Sequence, residues 1–373
     1  MRRTSAADVT HLFRPDLLAM AGYEPIEPTD VRAEALGIPP EQVVKLDGNE
    51  NPYGPSPRAL AALADARSYH IYPDPEQRKV RRALAAYVGV DEELIVAGAG
   101  SDELIDLVLR ATLSHGDSVI DCVPTFGMYS FSTAVCGGRV MEVPRRDDFS
   151  LDLPGIEEAV GRGAKVVFVA SPNNPTGNAA SAREVEALLD LGLLVVVDEA
   201  YVDFGGESLV SRVPERERLV VLRTFSKWAG LAGLRAGYGV FPPALASLLL
   251  RIKPPYNLNV AAQVAVLASL EDVDILRERV ASLVRERERL YEELRRVPFL
   301  RPYPSQGNFL LCKVEGLEAR SVRGRLAERG ILVRHFDTPL LRGHVRISVG
   351  LPEHTEALLR ALEDLPGGRR VTR

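Results

Sequence analysis

Short apolar runs alternate with helical stretches between about residues 91 and 241. The apolar runs predict strands at residues 94–97, 118–122, 165–170, 193–197, 219–223 and 236–240. Most of them are continuously apolar, which is typical of strands covered by helices on both faces. The intervening helical patterns, such as residues 102–112 and 182–191, predict crossover helices. The sequence therefore predicts an α/β fold with a doubly wound, mostly parallel sheet.

The pattern changes after residue 241. Residues 261–296 are rich in leucine, arginine and glutamate and predict one or two long helices. Beyond residue 299, predicted strands alternate with helices: 309–314, 319–329, 332–334, 344–349 and 352–365. We therefore predict a large domain over residues 46–260 and a smaller α+β domain over residues 261–373. The weakly periodic residues 1–45 predict an N-terminal arm that joins the small domain.

Composition narrows the classes of function. The chain has 373 residues and a net charge of −5, with 46% hydrophobic and 26% charged residues. This balance is typical of a globular protein of about two domains and disfavours nucleic acid or an anionic membrane as a partner. The arginines of residues 277–287 are interleaved with glutamates, which is typical of a solvated helix face.

The cysteines and the apolar runs bear on location. Cys122, Cys136 and Cys312 are widely separated and form no metal or redox motif, so we expect reduced thiols. The basic N-terminal sequence lacks the apolar core of a signal peptide. No apolar run approaches the roughly 18 residues needed to cross a bilayer. We expect a cytoplasmic protein.

Lys227 lies in a sequence that suits a phosphorylated aldehyde cofactor. It follows the hydroxyl residues Thr224 and Ser226, and Arg235 comes eight positions later. A lysine amine can form a Schiff base with an aldehyde, while hydroxyls and a guanidinium can bind phosphate. Lys227 taken alone would indicate only a surface loop. The whole group predicts binding of pyridoxal 5'-phosphate.

Polar groups at other strand ends suit the pyridine ring of that cofactor. Asp198 ends an apolar strand, so burial should raise its pKa, while a protonated pyridinium would hold it ionised. Asn174, in a turn rich in Asn, Pro and Gly, and Tyr201 could both reach the 3'-oxygen of the ring. The alternative for Asn174 is a plain turn, and the alternative for Asp198 is a helix cap or a metal ligand. Metal binding is disfavoured because no second acidic or histidine cluster lies nearby.

Gly100, Ser101 and Asp102 follow a predicted strand and open a helix. We predict Ser101 as the N-cap, and the free N–H groups of the helix start suit a phosphate. A nicotinamide dinucleotide fingerprint is the rival, but Glu103 stands where its third glycine is required. Because ligands gather at the carboxyl ends of strands in such sheets, we expect these groups to form one site.

Three further side chains allow two interpretations each. Phe126 follows a strand and could stack on the ring, although such an aromatic is more often part of the core. Arg346 and Arg334 lie in predicted strands, where an arginine points to solvent or inward to an anion. Judged from the pattern alone, solvent is favoured for Arg346.

In this order, the motifs resemble the fold-type I aminotransferases that use pyridoxal phosphate. The resemblance spans about residues 44–362. Its most specific parts are Asn-Asn-Pro-Thr-Gly (173–177), Asp-Glu-Ala-Tyr (198–201), Thr-Phe-Ser-Lys (224–227) with Arg235, and the late Arg346. Within that group, the sequences at 46–57, 72–74, 100–103, 124–129 and 333–350 are similar to the histidinol-phosphate aminotransferase family.

The resemblance implies a homodimer with its active site at the subunit interface. It assigns Lys227 to the Schiff base and Asp198 to the ring nitrogen. The other implied cofactor contacts are Asn174 and Tyr201 at the 3'-oxygen, Phe126 in stacking, and Gly100, Ser101, Asp102, Thr224, Ser226, Arg235 and the partner's Tyr72 at the phosphate end. The implied substrate contacts are Arg346, Arg334 and, from the arm, Tyr23. Phe126 departs from the tyrosine that is frequent in the family.

The resemblance also implies a reaction with two halves. Glutamate gives its amino group and leaves as 2-oxoglutarate, and imidazole-acetol phosphate then becomes histidinol phosphate, a step of histidine biosynthesis. An aromatic amino-acid aminotransferase and a decarboxylase of a phosphorylated amino acid stay open as alternatives. A non-enzymatic regulator on this fold would need a DNA-binding module, for which the arm is too short and too weakly patterned.

Overall fold

The computed structural model describes residues 9–23 and 25–368. In this part of the chain the strands are β1 (Val44–Leu46), β2 (Ile95–Gly98), β3 (Ser118–Asp121), β4 (Arg139–Glu142), β5 (Ala164–Ala170), β6 (Leu194–Asp198), β7 (Leu219–Thr224), β8 (Gly237–Val240), β9 (Leu300–Pro302), β10 (Phe309–Val314), β11 (Ile331–His335) and β12 (His344–Ser348). The α-helices are α1 (Pro15–Leu18), α2 (Thr29–Leu36), α3 (Pro57–Asp65), α4 (Arg78–Val88), α5 (Ser101–Thr112), α6 (Met128–Val135), α7 (Leu153–Gly161), α8 (Ala182–Asp190), α9 (Pro243–Ile252), α10 (Val260–Glu271), α11 (Val273–Leu294), α12 (Ala319–Ala327) and α13 (Pro352–Glu363).

Seven strands form a large sheet in the order β2-β8-β7-β6-β5-β3-β4. Only β8 runs against its neighbours β2 and β7, and the other pairs are parallel. The predicted mostly parallel sheet is therefore confirmed. Because β3, β5, β6 and β7 run in one direction, their carboxyl ends lie along the same edge.

The large sheet is covered on both faces, as its apolar strands predict. Alternate residues of β5, β6 and β7 enter two different clusters of buried side chains, one on each face. Strand β4 was missed by the sequence prediction. Its four residues are half-buried or exposed, because it forms one border of the sheet, and so they carry no apolar run.

A second sheet has five strands in the order β1-β11-β12-β10-β9. Strand β1, close to the N-terminus, runs parallel to β11, and the other pairs are antiparallel. Helices α12 and α13 pack with this sheet around their own apolar core. The predicted domain boundaries at residues 46 and 261 stay a prediction.

The long helical stretch predicted at residues 261–296 is divided into α10 and α11. Helix α10 packs against α3 and α4, whereas α11 contacts α13, β9 and β10. Two buried or half-buried guanidinium groups of α11 bind loops: Arg279 donates to the carbonyls of Gly54 and Pro55, and Arg287 to those of Phe204 and Gly307. Helix α11 therefore ties the second sheet to the loops of the first.

Candidate active site

A cavity of about 980 Å³ opens where the ends of β3, β5, β6 and β7 meet the N-terminal arm and the second sheet. The predicted site residues that line it are Tyr23, Ser101, Asp102, Phe126, Asn174, Asp198, Tyr201, Thr224, Ser226, Lys227, Arg235, Arg334 and Arg346. Residues separated by more than 300 positions along the chain thus share one cavity. Their individual roles stay predictions.

Asp198, the last residue of β6, is 4% exposed. Its Oδ2 accepts a hydrogen bond from the Tyr129 hydroxyl at 2.7 Å, and its Oδ1 accepts one from the Ala200 N–H at 3.0 Å. Burial raises the pKa of this carboxyl to about 6, and the two hydrogen bonds act in the opposite direction. A cationic ring nitrogen beside Asp198 would replace the lost solvation and favour the ionised form.

Tyr129 was missed by the sequence prediction of site residues. It is fully buried in the first turn of α6, stacks on Phe168 with ring centroids 4.9 Å apart, and orients the Asp198 carboxylate through its hydroxyl. Burial and the charge of Asp198 raise the pKa of this phenol, so it stays a hydrogen-bond donor. The sequence signal was the second aromatic of Pro-Thr-Phe-Gly-Met-Tyr, but its partner lies 69 residues away.

Lys227 is half-buried and points into the cavity. Its Nζ donates to the Gly48 carbonyl at 3.1 Å and lies 5.8 Å from the centroid of the Tyr201 ring. The Tyr201 hydroxyl accepts a hydrogen bond from the side chain of Asn49, a buried residue that the sequence prediction also missed. The turn at residues 48–49 therefore positions both the amine and the phenol.

Hydroxyl groups and a helix start lie together beside Arg235. Helix α5 begins at Ser101, so the prediction of Ser101 as the N-cap was wrong: the N-cap is Gly100, whose positive φ of 84° suits a glycine. Thr224 Oγ1 donates to Ser226 Oγ at 2.9 Å, and Arg235 Nη2 donates to Asp102 Oδ2 at 2.8 Å. These are groups that bind a phosphate.

Two glycines allow this close arrangement. A Cβ on Gly100 would lie 2.7 Å from Arg235 Nη2, and a Cβ on Gly237 would lie 2.6 Å from the backbone of Gly100 and Ser101. Arg235 itself has a φ of 54°, which is rare for a residue with a side chain. A side chain at Gly237 would therefore collide with the backbone, and one at Gly100 would displace the Arg235 guanidinium and strain a backbone of positive φ.

The turn after β5 joins the two sheets. Asn174 Oδ1 accepts a hydrogen bond from Arg346 Nη1 at 2.6 Å, which leaves the amide N–H₂ of Asn174 to donate elsewhere. The preceding Asn173 is fully buried and binds Thr125, Thr176 and the Pro124 carbonyl. The sequence prediction named Asn174 and missed the role of Asn173 in holding the turn.

Arg346 is only 5% exposed, so the solvent-facing reading favoured by the pattern alone was wrong. Its guanidinium lies between the rings of Phe309 and Phe336, each centroid 5.6 Å away, and donates to the Asp47 carbonyl. The reason is the register: β12 lies in the middle of the second sheet, and this face of it turns to the cavity. Burial lowers the pKa of Arg346.

The two arginines are direct neighbours across β11 and β12. Arg334 and Arg346 occupy paired positions in the register of the antiparallel strands, and both line the cavity. The Arg346 Nε–H finds no acceptor in the part of the chain that the structure describes. Like charges placed opposite each other in a sheet repel, and a buried N–H without an acceptor costs free energy. An anion in the cavity would relieve the repulsion between the two guanidinium groups.

The structure separates Tyr72 from the other predicted site residues. Its side chain is 78% exposed and stacks on Tyr256, with ring centroids 4.4 Å apart, instead of lining the cavity of its own chain. Tyr23, in contrast, lies at the cavity with its ring edge against Phe131. Burial raises the pKa of Tyr23, and the charges of Arg334 and Arg346 act against this.

Asp121, at the end of β3, is a second buried carboxyl that lines the cavity. Burial, followed by the charge of Glu142 on the neighbouring strand, raises its pKa to about 7. Its Oδ1 has no hydrogen-bond partner among residues 9–23 and 25–368. Asp121 was missed because its strand was read only as a core element.

Two kinds of feature are absent from the described residues. They contain no group of three or more histidine, cysteine, aspartate or glutamate side chains that suits a metal ion. None of their helices is both long and apolar enough to cross a membrane.

Comparisons with known proteins agree with this geometry. Residues 41–363 match the family "Aminotransferase class I and II". The chain is similar to the histidinol-phosphate aminotransferase of Roseiflexus castenholzii, with 52% identity over 96% of this chain and 99% of that protein. It is 51% identical to the chloroplastic histidinol-phosphate aminotransferase of Nicotiana tabacum, over 94% of this chain and 86% of that protein.

Among solved structures, the chain resembles the histidinol-phosphate aminotransferase of Sinorhizobium meliloti in complex with pyridoxal 5'-phosphate. The TM-score is 0.84 and the identity 28%, over 93% of this chain and 95% of that one. This similarity confirms the predicted fold-type I architecture. The chain therefore belongs to the class I and II aminotransferases and, within them, to the histidinol-phosphate aminotransferase family.

Proposed function

We propose that this chain is a pyridoxal-phosphate-dependent aminotransferase that moves an amino group between histidinol phosphate and 2-oxoglutarate, in both directions. The observation that carries the proposal is the paired Arg334 and Arg346 in the cavity that also holds Lys227 and Asp198. One part of the cavity thus suits a phosphorylated aldehyde cofactor, and another suits an anionic substrate.

The cavity fits the cofactor group by group. Asp198 would face the ring nitrogen, Asn174 and Tyr201 the 3'-oxygen, and Phe126 one face of the ring. The hydroxyls, the Arg235 guanidinium and the N–H groups at the start of α5 would bind the phosphate. The close packing of Gly100 against Arg235 supports this assignment, because it lets the guanidinium lie beside the N–H groups at the start of α5.

When bound, pyridoxal phosphate supplies an aldehyde carbon for the amino group and a ring that accepts electrons from the substrate carbon. Asp198, held by Tyr129, would keep the ring nitrogen protonated. The Lys227 amine, once displaced by substrate, would take the proton from the substrate carbon and return it to the cofactor's aldehyde carbon. Asn174 would donate to the ring oxygen, with its amide oriented by Arg346.

Arg346 and Arg334 would bind the anionic end of each substrate in turn. A guanidinium fork suits both a phosphate and a carboxylate, and an anion removes the repulsion between the two side chains. The same pair would therefore serve histidinol phosphate in one half-reaction and glutamate in the other. The relatives named above support the phosphate ester as the natural substrate, because they share about half of their residues with nearly the full chain.

No specific observation favours either of the two close alternatives, the aromatic aminotransferase or the decarboxylase. An aromatic amino-acid aminotransferase would need no second arginine beside Arg346 for a phosphate. A decarboxylase of a phosphorylated amino acid would use the same cofactor cavity, but the relatives at about 50% identity bear the name of a transaminase. The identity of the products therefore decides between the three functions.

The test is an amino-acceptor assay on purified holoenzyme. With glutamate as donor, imidazole-acetol phosphate should be converted to histidinol phosphate far faster than phenylpyruvate to phenylalanine, with one 2-oxoglutarate formed for each amino group moved. Preference for phenylpyruvate would support the aromatic aminotransferase. Release of carbon dioxide from a phosphorylated amino acid would support the decarboxylase.

We also propose a homodimer in which each subunit completes the cavity of the other. The exposed Ile71, Tyr72 and Tyr256 form an apolar patch that a second copy would cover. Tyr72 would then reach the cofactor phosphate of the partner subunit, since it does not line its own cavity. Such a patch is larger than a single scattered apolar side chain, and burying it favours association.

Mixed dimers test the sharing of Tyr72. Homodimers of Tyr72→Ala and of Lys227→Ala should both be nearly inactive. A heterodimer of the two variants should regain about one intact site, because both defects then fall in the same cavity. Heterodimers of confirmed composition that stay inactive would show that Tyr72 serves its own chain.

For location we propose the cytoplasm. Cys122, Cys136 and Cys312 are free thiols, which is typical of a reducing compartment. Fractionation of cells that express the chain, with detection of the protein in each fraction, tests this, and recovery from a membrane or extracellular fraction would contradict it.

A further inference from the structure

A network of polar side chains lies behind the predicted phosphate end of the cavity. Its members are Gln77, Glu103, Lys253 and Asn257, which come from three separate segments of the chain. None of them lines the cavity itself. All of them bind, directly or through one another, to the backbone at the end of β2, where the chain leads into Gly100 and Ser101.

Asn257 is the centre of this network. Its Nδ2 donates to the Ala97 carbonyl at 3.1 Å and to Glu103 Oε2 at 2.8 Å, while its Oδ1 accepts from Gln77 Nε2 at 2.7 Å and from Lys253 Nζ at 3.2 Å. One amide therefore joins all the other members and uses both of its ends. The same Glu103 oxygen accepts from the Ala99 N–H at 2.6 Å, so it fixes the residue that precedes Gly100.

Gln77 holds the strand end from the other side. It is buried, and its amide exchanges two hydrogen bonds with the backbone of Ala97: Nε2 to the carbonyl at 3.0 Å, and the N–H to Oε1 at 3.2 Å. Its φ of 56° lies in the left-handed region, which a glutamine rarely adopts. A strained backbone conformation is thus kept at a residue whose side chain ends on the strand.

Lys253 connects the network to the exposed aromatic pair. Its buried Nζ donates to the carbonyls of Pro75, Pro254 and Pro255 as well as to Asn257. Tyr72 and Tyr256 stand on these same two segments and stack on each other. The segment that would meet the partner subunit and the turn that would meet the phosphate are therefore held by one set of hydrogen bonds.

We propose that Asn257 is a positioning residue for the cofactor phosphate: through Ala97, Glu103 and Gln77 it fixes the turn at residues 98–102 in the conformation that binds the phosphate. The inference rests on the proposed phosphate site. It extends that site to a residue that touches neither cofactor nor substrate. Loss of the Asn257 amide removes hydrogen bonds on both sides of the turn and should weaken phosphate binding by about tenfold.

The experiment compares two ligands that differ only in the phosphate. Apoprotein is titrated with pyridoxal 5'-phosphate and with pyridoxal, and dissociation constants are read from the absorbance of the bound ligand. Asn257→Ala should bind pyridoxal 5'-phosphate about tenfold more weakly than wild type, with the affinity for pyridoxal unchanged within about twofold. Gln263→Ala is the matched control, because it removes an amide that binds only the Leu258 carbonyl nearby, and it should change neither constant.

Three outcomes distinguish a failure of the proposed role of Asn257 from a failure of the proposed phosphate site. Equal weakening of both ligands by Asn257→Ala would overturn the inference, since a general structural defect does not distinguish the phosphate, and so would no weakening at all. Wild type that binds both ligands equally would instead refute the proposed phosphate site. If Asn257→Ala does not fold, Gln77→Gly tests the same network, because glycine tolerates the positive φ while the amide is lost, and the same selective loss is expected.

Discussion

The two sides of the cavity differ in how their polar groups are satisfied. On the side of the large sheet, the Asp198 carboxylate has two hydrogen bonds within the chain, and Thr224 and Ser226 bind each other. On the side of the second sheet, the buried Arg346 donates to Asn174 and to the Asp47 carbonyl, but its Nε–H has no acceptor among the described residues, and Arg334 lies opposite it. The first side is thus held by hydrogen bonds within the chain, whereas the second places two like charges together and suits an anionic ligand.

This contrast separates the effects of substitutions. Changes on the large-sheet side should slow every substrate alike, because all substrates react on the same cofactor. Changes at the arginine pair should depend on the anion that the substrate carries. A substrate-dependent effect on the large-sheet side, or a uniform effect at the arginine pair, would contradict this division of the cavity.

Lys227→Ala should have the largest effect. Removal of the amine that we propose to bond the cofactor and to move the proton should lower turnover by several orders of magnitude with every substrate, while the proposed phosphate and ring contacts still hold the cofactor. Steady-state kinetics and cofactor content measure this. Lys165→Ala, at an exposed lysine paired with Asp117, is the control and should keep its activity. Borohydride labelling of a lysine other than Lys227 would refute the assignment.

Asp198→Asn should have the next largest effect. Loss of the charge that we propose to hold the ring nitrogen protonated should cost roughly 3–5 kcal/mol, divided between cofactor affinity and rate. Tyr129→Phe removes one of the two hydrogen bonds to this carboxylate and should cost only about 1 kcal/mol. Near-wild-type kinetics in Asp198→Asn, with both half-reactions measured, would show that another group meets the ring.

Arg346→Ala should act selectively. Loss of a charge-assisted contact in a sheltered site is worth about 2–4 kcal/mol, so the preference for histidinol phosphate over histidinol should shrink by roughly 30- to 1000-fold. The glutamate half-reaction should slow as well. Arg301→Ala, at an exposed arginine paired with Glu315, serves as the control. An equal loss for histidinol and its phosphate would place the anion elsewhere.

Asp121→Asn should have the smallest effect, on stability and pH. Burial raises the folded-state pKa of Asp121 to about 7. The free energy of unfolding is therefore higher while Asp121 is protonated, and this stability is lost as the pH rises through about 7. The apoprotein variant should therefore gain about 1–2 kcal/mol over wild type between pH 5 and pH 8, less than the full shift because water reaches the cavity. Denaturant unfolding at both pH values measures it, with exposed Asp148→Asn as control. No gain at pH 8 would contradict the assignment.

The sequence predicted those features of the molecule that depend on residues close together along the chain. The strands β5, β6 and β7 are apolar on both faces, so their runs were readable, and the residues at their ends followed from the sheet topology. The motifs that contain Lys227, Asp198 and Asn174 predicted that these residues share one site, and all three line the cavity, while their individual roles stay predictions. Strand β4 escaped because a half-exposed border strand has no apolar run.

The rest depended on contacts between distant segments. In the sequence, Tyr129 looks like a core aromatic. Its contact with Asp198 becomes apparent only in the sheet, where a single strand, β5, separates β3 from β6. Arg346 reads as a solvent-facing residue until its strand is known to lie in the middle of a sheet and between two phenylalanines. The N-cap of α5 is Gly100 and not the predicted Ser101, because a positive φ there, and the packing of Gly237, are properties of the folded backbone.

The most direct test of the central claim is one substrate comparison on wild-type holoenzyme. Rapid mixing with histidinol phosphate or with histidinol, followed by the absorbance of the bound cofactor, gives the specificity constant for each. If one side of the cavity holds the cofactor and the arginine pair binds the phosphate, histidinol phosphate should exceed histidinol by at least about 30-fold. Equal specificity constants for the two compounds would contradict the account.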